Sequence, residues 1–478
     1  MNFSESEIQK LFGHEAAEDE DPGRLREYYF KHSIYDQVVT DLPLRIVVGH
    51  KGIGKSALFN VAINDEILNN RLTVSIQPDD VIKINDHSDD MLENIRIWKI
   101  GISEIIAEKV LTEYGLLEDG WQSQFRSFGG KVLNFLKNSY NVRDGKFNLI
   151  PMQELIVKKF LEQGKISVYI DDLDRGWEGR RQDIKRISAL LNAVRDIARE
   201  NRGIFFRISL RSDVYYLSRT SDESTDKTES SVIWFSWTNH EILVLLIKRV
   251  ESYFGRKVNE ENLLKLHQSQ LIHYLSPIME DKFTGTGHWE NAPINRVLMS
   301  LIRKRPRDLV KLLTLAARNA KNNNSEKILS RHFESSFMDY SSGRLQDTIN
   351  EYQSELPDIE RFIMGMRPSK NQRKNSANPY IYTTAELLKK IDDIQQRGVF
   401  RWANKQIAEK KELLAFLYKI NFITARKETQ NGIDRKYFEE NRYLSNKFTE
   451  YGYDWEVHPA YRWALQVDES KIFEYLQI

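Results

Sequence analysis

Two stretches of this chain carry residues whose types and spacing could do chemistry. In Gly49, His50, Lys51, Gly52, Ile53, Gly54, Lys55 and Ser56 the sequence fits GxxxxGK followed by Ser or Thr, after an apolar run and before a helical pattern. The glycines let backbone N–H groups turn inward around an anion. The helix starting near Lys55 aims the positive end of its dipole at the same place, and the ammonium adds a full charge. This pattern implies a phosphate-binding loop, with Ser56 placed to ligate Mg2+. The second stretch, ISVYIDDLDRGW over residues 166–177, runs from β-branched and aromatic residues into Asp171 and Asp172. Carboxylates at the C-terminal end of a buried parallel strand face the ligand in α/β sheets. Together with the upstream loop they read as an acid pair, Asp171 holding Mg2+ through water and Asp172 polarising an attacking water. Downstream, the run 204–210 ends in Arg211, which is either a γ-phosphate contact at the same edge or a surface residue.

Positioning these groups requires a sheet. Apolar runs at 44–48, 72–78, 166–170, 204–210 and 232–235 alternate with helical patterns, of which 182–201 carries Ile184, Ile187, Leu190, Leu191, Val194 and Ile197 on one face. The polar run 218–231 reads as a mobile loop. The expected fold class is α/β, a parallel-sheet P-loop ATPase domain followed by a helical lid and a C-terminal winged helix. The expected boundaries are an N-terminal segment 1–43 packed on the ATPase core, the sheet domain 44–237 with a helical insertion 88–160 (patterns at 91–140), a helical lid 238–345, and a linker with the winged helix over 346–478. Thr238 and Glu241 form a capping box opening the lid, and Pro306 starts a helix that carries Arg307 in its first turn. Helix signals at 383–394 and 411–420, followed by FITA and YDWEVHP, outline the winged helix.

Composition narrows the function classes. The chain has 478 residues, 41% hydrophobic and 29% charged, with a net charge of +1 and no cysteine, which excludes disulfides, thiol catalysis and thiolate metal sites. No apolar run reaches the roughly 18 residues needed to span a bilayer and no leader pattern opens the sequence, so a cytoplasmic protein without a membrane role is expected. The basic excess is local: residues 361–430 hold 15 Lys and Arg against 6 Asp and Glu, while 431–478 hold 6 against 9. That stretch is either a solvated surface or a nucleic-acid contact. No NKxD sequence occurs, so the guanine-reading aspartate of GTPases is missing and ATP is the expected nucleotide.

GHKGIGKS, IDDLDRGW and the helix opening RPRD together resemble the P-loop ATPases of the AAA-like, STAND and KAP groups, bacterial relatives of which appear in antiviral defence and signalling. The resemblance spans roughly residues 10 to 345 and, more loosely, the winged helix. It implies that Gly49 to Ser56 bind the phosphates of ATP, Asp171 the metal and Asp172 the water, with Arg211 as sensor and Arg307 as second sensor from the lid. It implies a β-phosphate contact for His458, which stands where STAND proteins have the histidine of Met-His-Asp; here Val457 and Pro459 replace the flanking residues, and His458 equally suits a cap for a helix beginning at Pro459. In such ATPases the segment before the first strand often lies against adenine, so Tyr28, Tyr29 or Phe30 is either an adenine contact or core. KAP members insert membrane helices and STAND proteins append sensor and effector domains; this chain has neither, which points to a partner effector protein. The first reading is thus an ATP-driven switch or assembly ATPase, expected as a homo-oligomer, with Arg175, Arg180 and Arg181 as candidates for a trans-acting finger. The competing reading is a DNA-binding ATPase similar to origin-recognition or transposition ATPases, using the winged helix.

Overall fold

The computed structural model describes residues 1–69, 71–84, 88–113, 165–221, 223–285, 289–376, 378–429, 432–441, 444 and 452–466. The helical pattern expected beyond 113, and most of the insertion 88–160, lie outside the described residues; the helix Met91–Glu113 lies within them. Among the described residues no helix is long and apolar enough to cross a membrane.

Five strands, β1 (Leu44–Val48), β2 (Leu72–Ile76), β3 (Ile166–Ile170), β4 (Ile204–Leu210) and β5 (Val232–Trp234), form one parallel sheet of order β2-β3-β4-β1-β5. Every residue of β3 and β4 is buried, as a sheet covered on both faces requires. The helix Arg181–Glu200 lays Ile187, Leu190, Leu191, Val194 and Ile197 into a core shared with Val48, Val74, Val168 and Ile208. Register fixes what meets at the C-terminal edge. Ile170 pairs with Ile208 and Val48 with Leu210, so the residue after β3, Asp171, stands level with Ser209 on the neighbouring strand.

The described residues of the run 218–231, expected as a mobile loop, are helical: Ser212–Ser221 is an α-helix and Glu223–Ser231 a 3-10 helix. Polarity of sequence is outweighed here by anchoring, since Ser218 and Thr228 are buried and the Tyr215 hydroxyl donates to Glu229 Oε2 at 2.6 Å.

By contacts the chain forms two compact units, one of residues 31–51 and 55–235 around this sheet, the other of residues 1–30, 52–54 and 236–478. The second unit is mainly helical. Asn239–Tyr253 begins with the capping box of Thr238 and Glu241, and Pro306–Asn322 has its proline in the first turn, where no intrahelical N–H partner is lost. Ser330–Tyr352 packs along Pro306–Asn322. The helices Thr384–Gln395 and Lys410–Lys419 accompany an antiparallel sheet of β6 (Ile381–Tyr382), β7 (Ile423–Thr429), β8 (Gly432–Lys436) and β9 (Asp454–Val457) in the order β6-β9-β7-β8, which is the winged helix. In the N-terminal part of this unit Tyr28, Tyr29 and Phe30 are all core, 3%, 4% and 0% exposed, with Phe30 packed 6.2 Å from Trp237. The adenine contact considered for them is therefore not available without unpacking that core.

Candidate functional site

Within the sheet unit, β1 ends at Val48 and the next amide, that of Gly49, donates to Leu210 O at 3.1 Å, which ties the start of the glycine loop to β4. Gly52 and Gly54 take φ of +79° and +107°, backbone that side chains with a Cβ rarely adopt. The helix Lys55–Leu68 follows directly. Lys55 Nζ donates to Gly49 O at 2.8 Å and His50 O at 3.3 Å, so its ammonium lies over its own loop. The His50 ring is buried, with Nδ1 at 3.1 Å from Ser212 Oγ, so His50 offers the loop backbone rather than a side chain.

The acids gather beside it. Asp171 is buried, and burial pushes its carboxyl above the usual range; hydrogen bonds from Ser209 and Ser56 and the charge of Lys55 oppose the shift, while Asp172 adds to it. Ser209 Oγ donates to Asp171 Oδ1. Asp172 stands at φ +59°, its amide donating back to Asp171 Oδ1 at 3.0 Å and its carboxylate accepting from Arg175 Nε at 2.7 Å. Asp174 is also buried, its carboxyl raised by burial against the pull of Lys55 and Arg211, and it accepts from the Arg211 amide at 2.8 Å. The Arg211 guanidinium instead reaches Asp213, at 3.1 and 2.8 Å. The edge thus brings together Lys55, Ser56, Asp171 and Asp172, and Arg211 by its backbone. Sequence reasoning assigned nothing to Ser209 and Asp174. Ser209 was legible only through register, and Asp174 only as the third acid of the run 171–174.

The tip of the loop, Gly52 to Gly54, belongs to the second unit. There the Arg307 amide meets Gly52 O at 3.4 Å, and a Cβ on Gly52 would lie 3.1 Å from Arg307 Cβ and Cδ. Trp237 Nε1 donates to Ile53 O at 2.8 Å, burying Ile53. Arg307 Nε donates to Glu15 O at 3.1 Å, so the N-terminal segment holds the guanidinium. Lys51 is exposed at the turn. Of the finger candidates, Arg175 pairs with Asp172 of its own chain, Arg180 with Glu178, and Arg181 is exposed.

Of the two readings open for His458, the geometry is that of the cap and not of the β-phosphate contact. His458 is fully buried, its Nδ1 accepting from the Ala460 amide at 3.1 Å and its Nε2 lying 2.9 Å from the Tyr437 hydroxyl. Both ring nitrogens are thereby engaged within the protein, which is the cap arrangement and not that of a phosphate ligand.

The donor set fits a magnesium nucleotide. Among the described residues no group of three or more His, Asp or Glu forms an all-protein metal cage. One hydroxyl and one buried carboxyl suit a cation that keeps water and phosphate oxygens as its other ligands. A carboxyl raised by burial is stabilised as carboxylate by such a cation. The fold is α/β, a five-stranded parallel sheet with the glycine loop between β1 and the helix that follows it. A family model described as the FunZ-associated C-terminal helical domain matches residues 241–349. The putative transposon gamma-delta 80.3 kDa protein of Escherichia coli (strain K12) is 24% identical over 511 aligned positions, covering 96% of this chain and 68% of that protein. Among solved structures, a Walker-type ATPase of Pyrococcus abyssi aligns with a TM-score of 0.40 at 13% identity, covering 87% of this chain and 96% of its own. The ORC2 protein of Aeropyrum pernix aligns with a TM-score of 0.40 at 9% identity, covering 95% and 91%.

Proposed function

We propose that this protein binds and hydrolyses ATP with Mg2+ and uses the nucleotide state to control a partner. The observation that carries this reading is Asp171: a buried carboxyl at the end of β3, hydrogen-bonded by Ser209 and within the field of Lys55, the lysine of a complete glycine loop. In this reading the loop amides and Lys55 hold the phosphates, Ser56 and Asp171 hold Mg2+, and the bound cation neutralises phosphate charge. Asp172 orients the attacking water once its carboxylate parts from Arg175, and Arg211 reaches the γ-phosphate once it parts from Asp213. Arg307, set against Gly52, is the second cationic sensor. Spread negative charge in the transition state calls for more cations than these, so a homo-oligomer in which Arg181 of a neighbour completes the site accompanies the proposal. Calorimetry with ATP on wild type and Lys55→Ala, beside a turnover assay, tests it: equal affinity in the two proteins would refute the phosphate assignment.

A DNA-binding ATPase is the second reading, favoured by one surface and by the name of the transposon relative. The segment between the two helices of the winged helix exposes Arg397, Arg401 and Lys405 together with Val399 (55% exposed) and Ile407 (56%), and the first turn of the second helix adds Lys410 and Lys411. The helix Lys410–Lys419 buries Leu413, Leu414, Phe416, Leu417, Tyr418 and Lys419, leaving few side chains to read a groove, so this reading places phosphate contacts on the segment ahead of it. Binding to random duplex that weakens steeply between 50 and 200 mM salt is the expected sign, and binding unchanged by Lys405→Glu with Lys411→Glu would remove it.

A further inference from the structure

Arg307 is followed by Asp308, and the two residues face different neighbours. Arg307 meets the glycine loop at Gly52. Asp308 is buried and accepts from Arg303 Nε at 2.8 Å, Arg303 Nη2 at 2.9 Å, the Arg303 amide at 3.2 Å and Arg344 Nη1 at 2.8 Å. Burial alone would raise this carboxyl; the Arg303 and Arg344 guanidiniums overcome it and hold Asp308 well below the usual carboxylate range. Its place in the first helical turn adds the attraction of the helix N-terminus. The remaining nitrogen of Arg303, Nη1, donates to Thr348 Oγ1 at 3.1 Å and to the Tyr461 hydroxyl at 2.7 Å, and these two hydroxyls lie 3.0 Å apart. Thr348 belongs to the helix Ser330–Tyr352, and Tyr461 to the winged helix, at the end of the short helix Pro459–Tyr461 that His458 caps after β9. Two residues on, Trp463 packs 4.7 Å from Phe337 of the helix Ser330–Tyr352, which fixes where the Tyr461 hydroxyl stands.

We infer that Tyr461 is a positioning residue for Arg307: its hydroxyl completes the coordination of Arg303, which sets Asp308 and thereby the helix start that places Arg307 against Gly52. The inference rests on the ATP-binding reading above and gives the winged helix a definite means of sensing the nucleotide. Because Arg303 is buried and its Nε and Nη2 are taken by Asp308, removing the Tyr461 hydroxyl leaves a desolvated guanidinium short of an acceptor at Nη1, and the arrangement shifts rather than tolerating the gap. Coupling of this kind is reciprocal for binding: what the winged helix does to nucleotide affinity, nucleotide does to the docking of the winged helix.

The test uses the full chain and reads the ADP-to-ATP affinity ratio by calorimetry, with KM and kcat in parallel. Tyr461→Phe is compared with Tyr418→Phe, which deletes another buried hydroxyl of the winged helix, one that donates to Tyr437 O and Asn441 O and has no contact with Arg303. Tyr461→Phe is expected to shift the affinity ratio by about five- to tenfold, and Tyr418→Phe to leave it at the wild-type value although both lower the melting temperature. Thr348→Val, which removes the other hydroxyl from Arg303 Nη1, is expected to move the ratio in the same direction and keeps the test available if Tyr461→Phe does not fold. A wild-type ratio in both Tyr461→Phe and Thr348→Val, or an equal shift in Tyr418→Phe, would overturn the inference. Wild-type nucleotide binding that is lost in Lys55→Ala, measured alongside, separates that outcome from failure of the ATP reading itself.

Discussion

The amide of Arg307 lies 3.4 Å from the carbonyl of Gly52, and the Arg307 side chain covers the face of Gly52 where a Cβ would stand. This contact gives the glycine two reasons to be one: a φ of +79° and a neighbour at 3.1 Å on both Cβ and Cδ. The left-handed conformation costs a residue with a Cβ about 1–2 kcal/mol, and the crowding must also move Arg307. Gly52→Ala is therefore expected to weaken ATP binding by about tenfold while the sheet unit stays folded. Affinity by calorimetry and the melting temperature check it; wild-type affinity would mean that neither the loop conformation nor the placement of Arg307 matters for the nucleotide.

Asp172 should separate binding from turnover. Its carboxylate faces Arg175 and is half exposed, so Asp172→Asn preserves shape and removes only charge. ATP affinity is expected to change less than threefold, while turnover falls by about 10²-fold or more, the usual worth of a positioned acid–base group. A single-turnover assay decides it, because unimpaired hydrolysis in Asp172→Asn would assign the water to another residue.

What was legible in the sequence was what lies close in sequence. The glycine loop, the acid pair after β3, the capping box at Thr238 and the proline opening the helix of Arg307 each follow from a few consecutive residues. Their signals are local: a dipole end, a turn, a strand end. Ser209, Trp237 and the Arg303–Asp308–Tyr461 network escaped for the opposite reason. Ser209 matters only because β3 and β4 pair in a register that sets it beside Asp171, and Tyr461 meets Arg303 across 158 positions of chain. The polar run 218–231 misled because its composition predicts solvent exposure, whereas the Tyr215–Glu229 hydrogen bond and the burial of Ser218 and Thr228 hold it as helix. His458 was ambiguous rather than misleading. A histidine before a helix suits either a phosphate or a cap, and only its burial with Tyr437 separates the two.

The winged-helix sheet should be acid-labile at one residue. Glu456 is fully buried; burial would raise its carboxyl, but Arg435 and Arg462, with Arg426 beyond, hold it down to about 2. A carboxylate depressed in the folded state contributes stability that is complete above its unfolded value of about 4.3 and is lost as pH falls towards 2. Glu456→Gln leaves buried guanidiniums short of their partner and is expected to cost about 3–5 kcal/mol at pH 7. In urea unfolding from pH 7 to pH 3 the difference between wild type and Glu456→Gln should narrow below pH 4.5. A gap independent of pH would show that the charge of Glu456 is not what stabilises the sheet.

His458 titrates in the other direction and tests the cap assignment. Because the Ala460 amide donates to Nδ1, that nitrogen carries no proton, and the ring is neutral with its hydrogen on Nε2, facing the Tyr437 oxygen. A second proton would have to sit on Nδ1 against the Ala460 N–H. Burial is the first cause pressing the histidine well below its ordinary value; Arg435 and Arg303 add to it, against the weaker pull of Glu456 and Asp308. Below its unfolded pKa of about 6.5 the unfolded chain takes a proton that the folded chain refuses, so folding stability should fall as pH drops from 7 towards 5. Asn also caps helices with its side-chain oxygen and does not titrate, so His458→Asn should flatten that slope while costing about 1–2 kcal/mol at pH 7. The melting temperature should drop equally with ADP, with ATP and without nucleotide, and the ADP-to-ATP affinity ratio should stay at the wild-type value. If His458→Asn instead weakened ADP selectively, the ring would have to leave Tyr437 for a phosphate, and the cap assignment would be wrong.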